Sequence, residues 1–279
     1  MALIESLAGQ AALERLWSYT VGIINGALRT QVADRKTGVT VTQEGEPGTG
    51  CAGSWGKHHF VLTAKHVLER ANPRDLSFFV RSTGTLKAQR SSTVNVRDAV
   101  SAVPVDSRSL SIHRCRWEDL AILTIPKEAL GLRLEFFDLK GLCVDPAGGD
   151  TLHGVGYPVS SAVIREAKAI GPAVERMVIL SPTPFTGNVL PLPKFKLNDF
   201  ATKRHCLIPY EPAKEGKSPN GISGAAVWEQ ADEKQGLWTA RFAFAGICVA
   251  SYKRGTIVKV VKASLVRRFL AQALGPRGN

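Results

Sequence analysis

Apolar residues in this 279-residue chain come in short β-prone runs, each cut by Gly, Ser, Asp or Pro. In the first half the runs are Tyr19 to Ile24, Gly38 to Thr42, Phe60 to Thr63, Leu76 to Val80, Thr93 to Val96 and Leu120 to Ile125, with a polar turn at Gln43 to Pro47. In the second half they are Thr151 to Gly156, Ala162 to Ala169, Arg176 to Leu180, His205 to Ile208, Ala225 to Trp228, Phe242 to Ala250 and Thr256 to Val261. Long helical patterns do not alternate with them, which disfavours a parallel α/β sheet. Two comparable blocks of short strands predict an all-β chain of two antiparallel six-stranded β-barrels. Helical spacing appears at the two ends only. Leu3, Leu7, Leu13, Leu16 and Trp17 predict an amphipathic helix within residues 1–17, and Leu265, Phe269, Leu270 and Leu274 another from Lys262 to Leu274. The first barrel then occupies residues 18–130, a glycine-containing crossover 131–149, and the second barrel with the C-terminal helix 150–279. The N-terminal helix is expected to dock on a barrel, the alternative being a partner.

Composition narrows the class without naming a chemistry. Hydrophobic residues make up 44% and charged residues 22%, ordinary for a globular chain. No run approaches eighteen apolar residues, so no membrane span is expected. Met1 to Trp17 carries Glu5, Glu14 and Arg15 and lacks a secretory leader's basic start and apolar stretch. A cytoplasmic protein is the expectation. Its five cysteines, Cys51, Cys115, Cys143, Cys206 and Cys248, show no CxxC spacing and read as reduced, inert thiols. His113-x-Cys115 and His205-Cys206 lack a second ligand pair at zinc spacing, so no metal is expected. The formal charge of +12 would suit an anionic partner, but the basic residues are spread along the chain. A solvated basic surface accounts for them, with a nucleic-acid-associated protein as the alternative that salt-sensitive binding would reveal.

Three short motifs carry the chemistry. In Phe60-Val61-Leu62-Thr63-Ala64-Lys65-His66-Val67 an apolar strand runs into a turn, placing His66 where it can face a cleft. Asp119 opens the apolar run Leu120-Ala121-Ile122-Leu123, and a carboxylate in such a place needs a partner. In Ser218-Pro219-Asn220-Gly221-Ile222-Ser223-Gly224-Ala225, glycines two before and one after Ser223 permit a tight bend. That bend can aim the N–H groups of Gly221 and Ser223 at one point, as a negatively charged tetrahedral intermediate requires. Each motif alone has a plain reading: a structural histidine, a loop-capping aspartate, a glycine turn before a strand. Gly48-Thr49-Gly50-Cys51-Ala52-Gly53 matches GxGxxG, but the expected continuation is a strand, so a dinucleotide site fails on context.

Taken together and in this order, TA-x-H, D-x-A-x-L and G-x-S-G resemble the trypsin-like (chymotrypsin-fold) serine proteases over roughly Tyr19 to Leu274, closest in style to intracellular bacterial members. Separations of 53 and 104 residues (119−66 and 223−119) put His66 and Asp119 in the first barrel and Ser223 in the second. An α/β-hydrolase order is excluded because His205 is the last histidine. The resemblance implies a serine endopeptidase without cofactor, acting on a protein or peptide substrate. In it Ser223 is the nucleophile, His66 the general base and then acid, Asp119 the orienting carboxylate, and the N–H groups of Gly221 and Ser223 the oxyanion hole. Two departures bear on regulation. Ile222 stands where digestive members carry an aspartate, so trimming at Val21-Gly22-Ile23 is not the expected activation, and control by a partner or an ordered loop is expected instead. Val67 replaces the cysteine after the histidine. By the same resemblance Lys217 lies near the base of the substrate pocket and Ala250, Ser251 and Gly255 line it. With no acid at the base, cleavage after Arg or Lys is disfavoured, and acidic or apolar residues are the alternatives. A catalytically silent binding module of the same fold is the rival reading.

Overall fold

A computed structural model describes residues 7–25, 46–69, 76–80, 101–104, 110–125, 135–159, 162–170, 173–180, 182–191, 197, 199–215, 218–230 and 242–275. The expected strands at Gly38 to Thr42 and Thr93 to Val96, together with Lys217, lie outside them. Strands dominate the rest, as the short apolar runs require. The first sheet holds β1 (Thr20–Asn25), β2 (Glu46–Trp55), β3 (His58–Thr63), β4 (Leu76–Val80), β5 (Ser101–Pro104), β6 (Ser111–Arg114) and β7 (Ala121–Thr124). They are antiparallel in the order β5-β4-β1-β2-β3-β7-β6, and β8 (Phe137–Asp138) adds to β2 in parallel. Downstream come β9 (Thr151–Gly156), β10 (Ala162–Ile170), β11 (Ala173–Leu180), β12 (Thr183–Asn188), β13 (His205–Pro209), β14 (Ala226–Gln230), β15 (Phe242–Tyr252) and β16 (Ile257–Lys262). The hairpin β10–β11 stands by itself, and the second sheet runs β12-β9-β14-β15-β16-β13. Just past β12, the Leu190 N–H donates to the Leu207 carbonyl at 2.8 Å, so the two edges of this sheet meet. The chain is all-β, built on two antiparallel sheets.

The glycines of β2 are explained by its neighbours. A Cβ on Gly48 would lie 2.5 Å from Val67 Cγ1, one on Gly50 would overlap the Val61 side chain, and one on Gly53 would sit 2.8 Å from Leu139. Apolar side chains pack directly on this backbone, and the GxGxxG string is a strand leading through Gly56-Lys57 into β3. The strand starts at Glu46, inside the expected polar turn, because Glu46 and Pro47 pair with Asn25 and Ile24. The segment Val21-Gly22-Ile23 sits mid-strand between β2 and β4, with Val21 and Ile23 fully buried. β12 was not evident from sequence, since Pro184 and Gly187 make it look like a turn. An edge strand tolerates both.

One apolar cluster joins the sheets. Tyr19, Phe137, Trp228 and Phe244 stack edgewise at their junction, Phe137 and Trp228 with ring centroids 4.6 Å apart. Within the expected crossover, residues 137–145 form a strap: β8 pairs with β2, and then Phe244 N–H donates to Leu142 O while Val144 N–H donates to Phe244 O. The strap also caps the C-terminal helix, here α2 (Ala263–Leu274), as Asp145 Oδ1 accepts the Ser264 N–H at 2.8 Å. The N-terminal helix, α1 (Leu7–Ser18), docks as expected: Leu16 is buried, and the Trp17 indole N–H donates to the Tyr157 hydroxyl at 3.0 Å. Among the described residues no helix is long and apolar enough to cross a membrane.

Gly50→Ala is expected to destabilise the chain by about 1–3 kcal/mol, the usual cost of overpacking a tight core. Denaturant melts would show it as a lower midpoint with an unchanged slope.

Candidate active site

His66 lies in a single 3-10 turn, Lys65–Leu68, entered straight from the apolar strand β3. Burial of Val67 and Leu68 anchors the turn and leaves the histidine exposed. Asp119 ends the loop between β6 and β7, closed at its base by the Cys115 N–H bonded to Leu120 O at 2.8 Å. The two residues meet twice: His66 Nδ1 lies 2.7 Å from Asp119 Oδ2, and the His66 backbone N–H donates to Oδ1 at 3.0 Å. The Lys65 N–H also donates to the Asp119 carbonyl. Partial burial pushes the Asp119 carboxyl up, but the hydrogen bonds and charge of His66, helped by Lys65, outweigh it and hold the carboxyl below its ordinary value. An ionised Asp119 holding Nδ1 leaves Nε2 as the nitrogen turned toward other partners.

Ser223 belongs to a loop that ends at β14, and the first sheet holds that loop in place. The Thr49 N–H donates to Ser223 O at 2.8 Å, and the Thr49 hydroxyl donates to Gly221 O at 2.7 Å. The Thr63 hydroxyl, three residues before His66, donates to the Thr49 carbonyl. Gly224 is wedged here: any Cβ would overlap Thr49 O and Thr63 Oγ1, and its φ is +92°. These contacts bring the Ser223 loop against the end of the strand that carries His66. Inside the loop, the N–H groups of Ile222, Gly224 and Ala225 donate to Pro219 O, Cys248 O and Ile222 O. Among the described residues the N–H groups of Gly221 and Ser223 have no such protein acceptor. At Gly221 φ is +97° and a Cβ would fall 2.5 Å from Tyr157 O, so glycine is required there.

Three of the pocket candidates belong to segments that meet this loop. Ala250 and Ser251 follow Cys248, whose N–H and carbonyl bond Ala225 and Gly224. Gly255 is buried, and a Cβ on it would lie 2.5 Å from Pro219 Cδ, four residues before Ser223.

Sequence reasoning missed a buried polar cluster next to Asp119. Glu118 bridges to the second sheet, where Oε2 accepts from His205 Nε2 at 2.9 Å and Oε1 lies 2.7 Å from Arg204 Nη1. The Ala201 N–H donates to His205 Nδ1, so the ring's proton must sit on Nε2 and the imidazole is neutral. Burial lowers the His205 pKa, and this outweighs the opposing pull of Glu118. Thr49 was the other miss, read only as part of a glycine string. A hydroxyl-bearing residue between two glycines on the strand leading to the histidine was the available signal.

All five cysteines are free, and burial pushes the thiols of Cys51 and Cys206 up to about 12 and Cys143 to about 11, with Cys248 raised as well. Such thiols are poor nucleophiles at neutral pH. Among the described residues no group of three His, Cys, Asp or Glu side chains could hold a metal ion.

No protein-family model and no curated protein matches the chain. Solved structures do. A crystal structure of tobacco vein mottling virus protease is 12% identical and overlaps 95% of this chain and 85% of its own at a TM-score of 0.48. Catalytically active tobacco etch virus protease complexed with product is 14% identical, with 88% and 73% coverage and a TM-score of 0.43. Overlaps this loose carry no weight in assigning the site, which rests on the chain's own geometry.

Because the fold holds His205 neutral, protonation opposes folding. The unfolded chain takes up that proton near pH 6.5, so stability is full above this pH and falls as pH drops from about 6.5 through the lowered folded value. His153, also lowered by burial, adds to the trend. His205→Gln, which keeps one donor and one acceptor, is expected to flatten the decline in urea melts between pH 7.5 and 5.5. An unchanged slope would show that other groups dominate it.

Proposed function

We propose that this chain is a serine endopeptidase that cleaves protein or peptide substrates through an acyl-enzyme on Ser223. One observation carries the reading: Asp119 grips His66 by side chain and backbone, three residues beyond Thr63, whose hydroxyl bonds the Thr49 carbonyl, and Thr49 in turn bonds Gly221 and Ser223. In the proposed reaction Ser223 Oγ attacks the scissile carbonyl while His66 Nε2 takes the hydroxyl proton. The C–N bond then breaks and the same proton passes to the leaving amine. Water repeats the sequence on the ester, returning the proton to Ser223 and releasing the acid. Asp119, ionised below its ordinary pKa, stabilises the imidazolium formed in each half. The N–H groups of Gly221 and Ser223 would receive the oxyanion.

The burial-raised thiols support a hydroxyl nucleophile. Control by a partner or by loop ordering fits the burial of Val21 and Ile23 inside β1, where trimming would dismantle a strand. No cofactor takes part. With no acid among Ala250, Ser251 and Gly255, cleavage after Arg or Lys is disfavoured.

A fluorophosphonate probe is expected to label the wild type, with labelling abolished by Ser223→Ala and by His66→Ala. Asp119→Asn is expected to slow turnover by roughly 10³–10⁴ by destabilising the required tautomer. A folded wild type that stays unlabelled, with and without added substrate protein, would favour the silent binding module.

A further inference from the structure

Thr49 is fully buried between the two sheets, and its side chain is committed at both ends. The Tyr157 N–H donates to Oγ1 at 2.9 Å. An amide nitrogen can only donate, so the Thr49 hydroxyl must send its own hydrogen to Gly221 O, 2.7 Å away. The rotor therefore has one orientation. Gly221 O belongs to the peptide plane between Gly221 and Ile222, the one plane that separates those carrying the Gly221 and Ser223 N–H groups. The flanking bonds are already set: Val159 N–H to Asn220 O at 2.7 Å on one side and Ala225 N–H to Ile222 O at 2.8 Å on the other. The N–H end of that plane is that of Ile222, bonded to Pro219 O at 3.0 Å, and the Thr49 hydroxyl holds its carbonyl end, while Gly221, at φ +97° and without a Cβ, offers little resistance of its own to rotation.

We propose that the Thr49 side-chain hydroxyl is a positioning residue for the oxyanion hole, fixing from the first sheet the peptide plane that spaces the Gly221 and Ser223 N–H donors. The inference rests on the serine-peptidase reading. Thr49 touches no reacting atom; it acts through Gly221. Donor geometry matters steeply, since losing one oxyanion donor costs about 10²–10³ in rate and a misplacement near 1 Å costs on the order of 10². Rotation of a plane between the donors should therefore slow acylation while leaving ground-state binding intact.

The test compares pre-steady-state acylation by p-nitrophenyl acetate, and fluorophosphonate labelling rates, in wild type, Thr49→Val, Thr49→Ser and Thr20→Val. Valine keeps the shape and deletes the hydroxyl, and serine restores it. Thr20→Val removes another buried threonine hydroxyl, bonded to Leu16 O away from the loop, and controls for lost stability. The expected result is an acylation constant at least about tenfold lower in Thr49→Val with KM within about twofold, Thr49→Ser near wild type and Thr20→Val unchanged. Equal rates in Thr49→Val and wild type would overturn the proposal, and so would equal losses in the valine and serine variants. If Thr49→Val does not fold, Thr49→Cys, with a weak thiol donor in place of the hydroxyl, carries the same comparison. A folded wild type that reacts with neither probe, with and without added substrate protein, overturns the peptidase reading itself, and the positioning role with it.

Discussion

Thr49 is where the two sheets are tied together at the site. Its amide, hydroxyl and carbonyl each bond a different partner, reaching Ser223, Gly221, Tyr157 and Thr63. A two-sheet protein whose functional groups are split between sheets is only as ordered as the contact between them. Here that contact is short, buried and directional. A buried polar group is costly without a partner, and the arrangement meets this by leaving none of the three Thr49 groups unpaired. The same bonds that stabilise the junction therefore also fix where the serine loop stands relative to the turn of His66.

Apolar packing supports this tie from behind. The edgewise cluster of Tyr19, Phe137, Trp228 and Phe244 fills the junction and draws on both sheets and on the crossover strap. Aromatic contacts of this kind add roughly 0.5–1.5 kcal/mol each beyond the area they bury. The strap contributes more than connectivity, since it pairs with β2, bonds Phe244 and caps α2 through Asp145. α1 adds the Trp17 bond to Tyr157, and Tyr157 in turn bonds Thr49 and packs on Gly221. An element far away in sequence thus reaches the serine loop through two steps of contact.

Charge is handled differently at two neighbouring carboxylates. Asp119 is partly exposed, keeps its ionised form and meets an exposed histidine. Glu118 turns inward to a histidine held neutral by burial and by the Ala201 N–H. One residue of displacement along the loop separates a carboxylate that meets an exposed histidine from one locked into an inter-sheet bridge.

The sequence by itself determined the fold class and marked the candidate side chains. Short apolar runs such as Phe60–Thr63 and Leu120–Ile125 can bury themselves only in sheets, and motifs at strand boundaries singled out His66, Asp119 and Ser223 as candidates. Local pattern could not reveal β12, where Pro184 and Gly187 mimic a turn, nor β8, whose pairing with β2 is entirely long-range. Nor could it separate Glu118 from Asp119 in role, because burial decides that and burial is a property of the packed sheets. Only the tertiary structure set Thr49 against Gly221, 172 residues away. A threonine between two glycines is legible as a strand; which backbone it reaches depends on how two sheets dock, and no local rule encodes that.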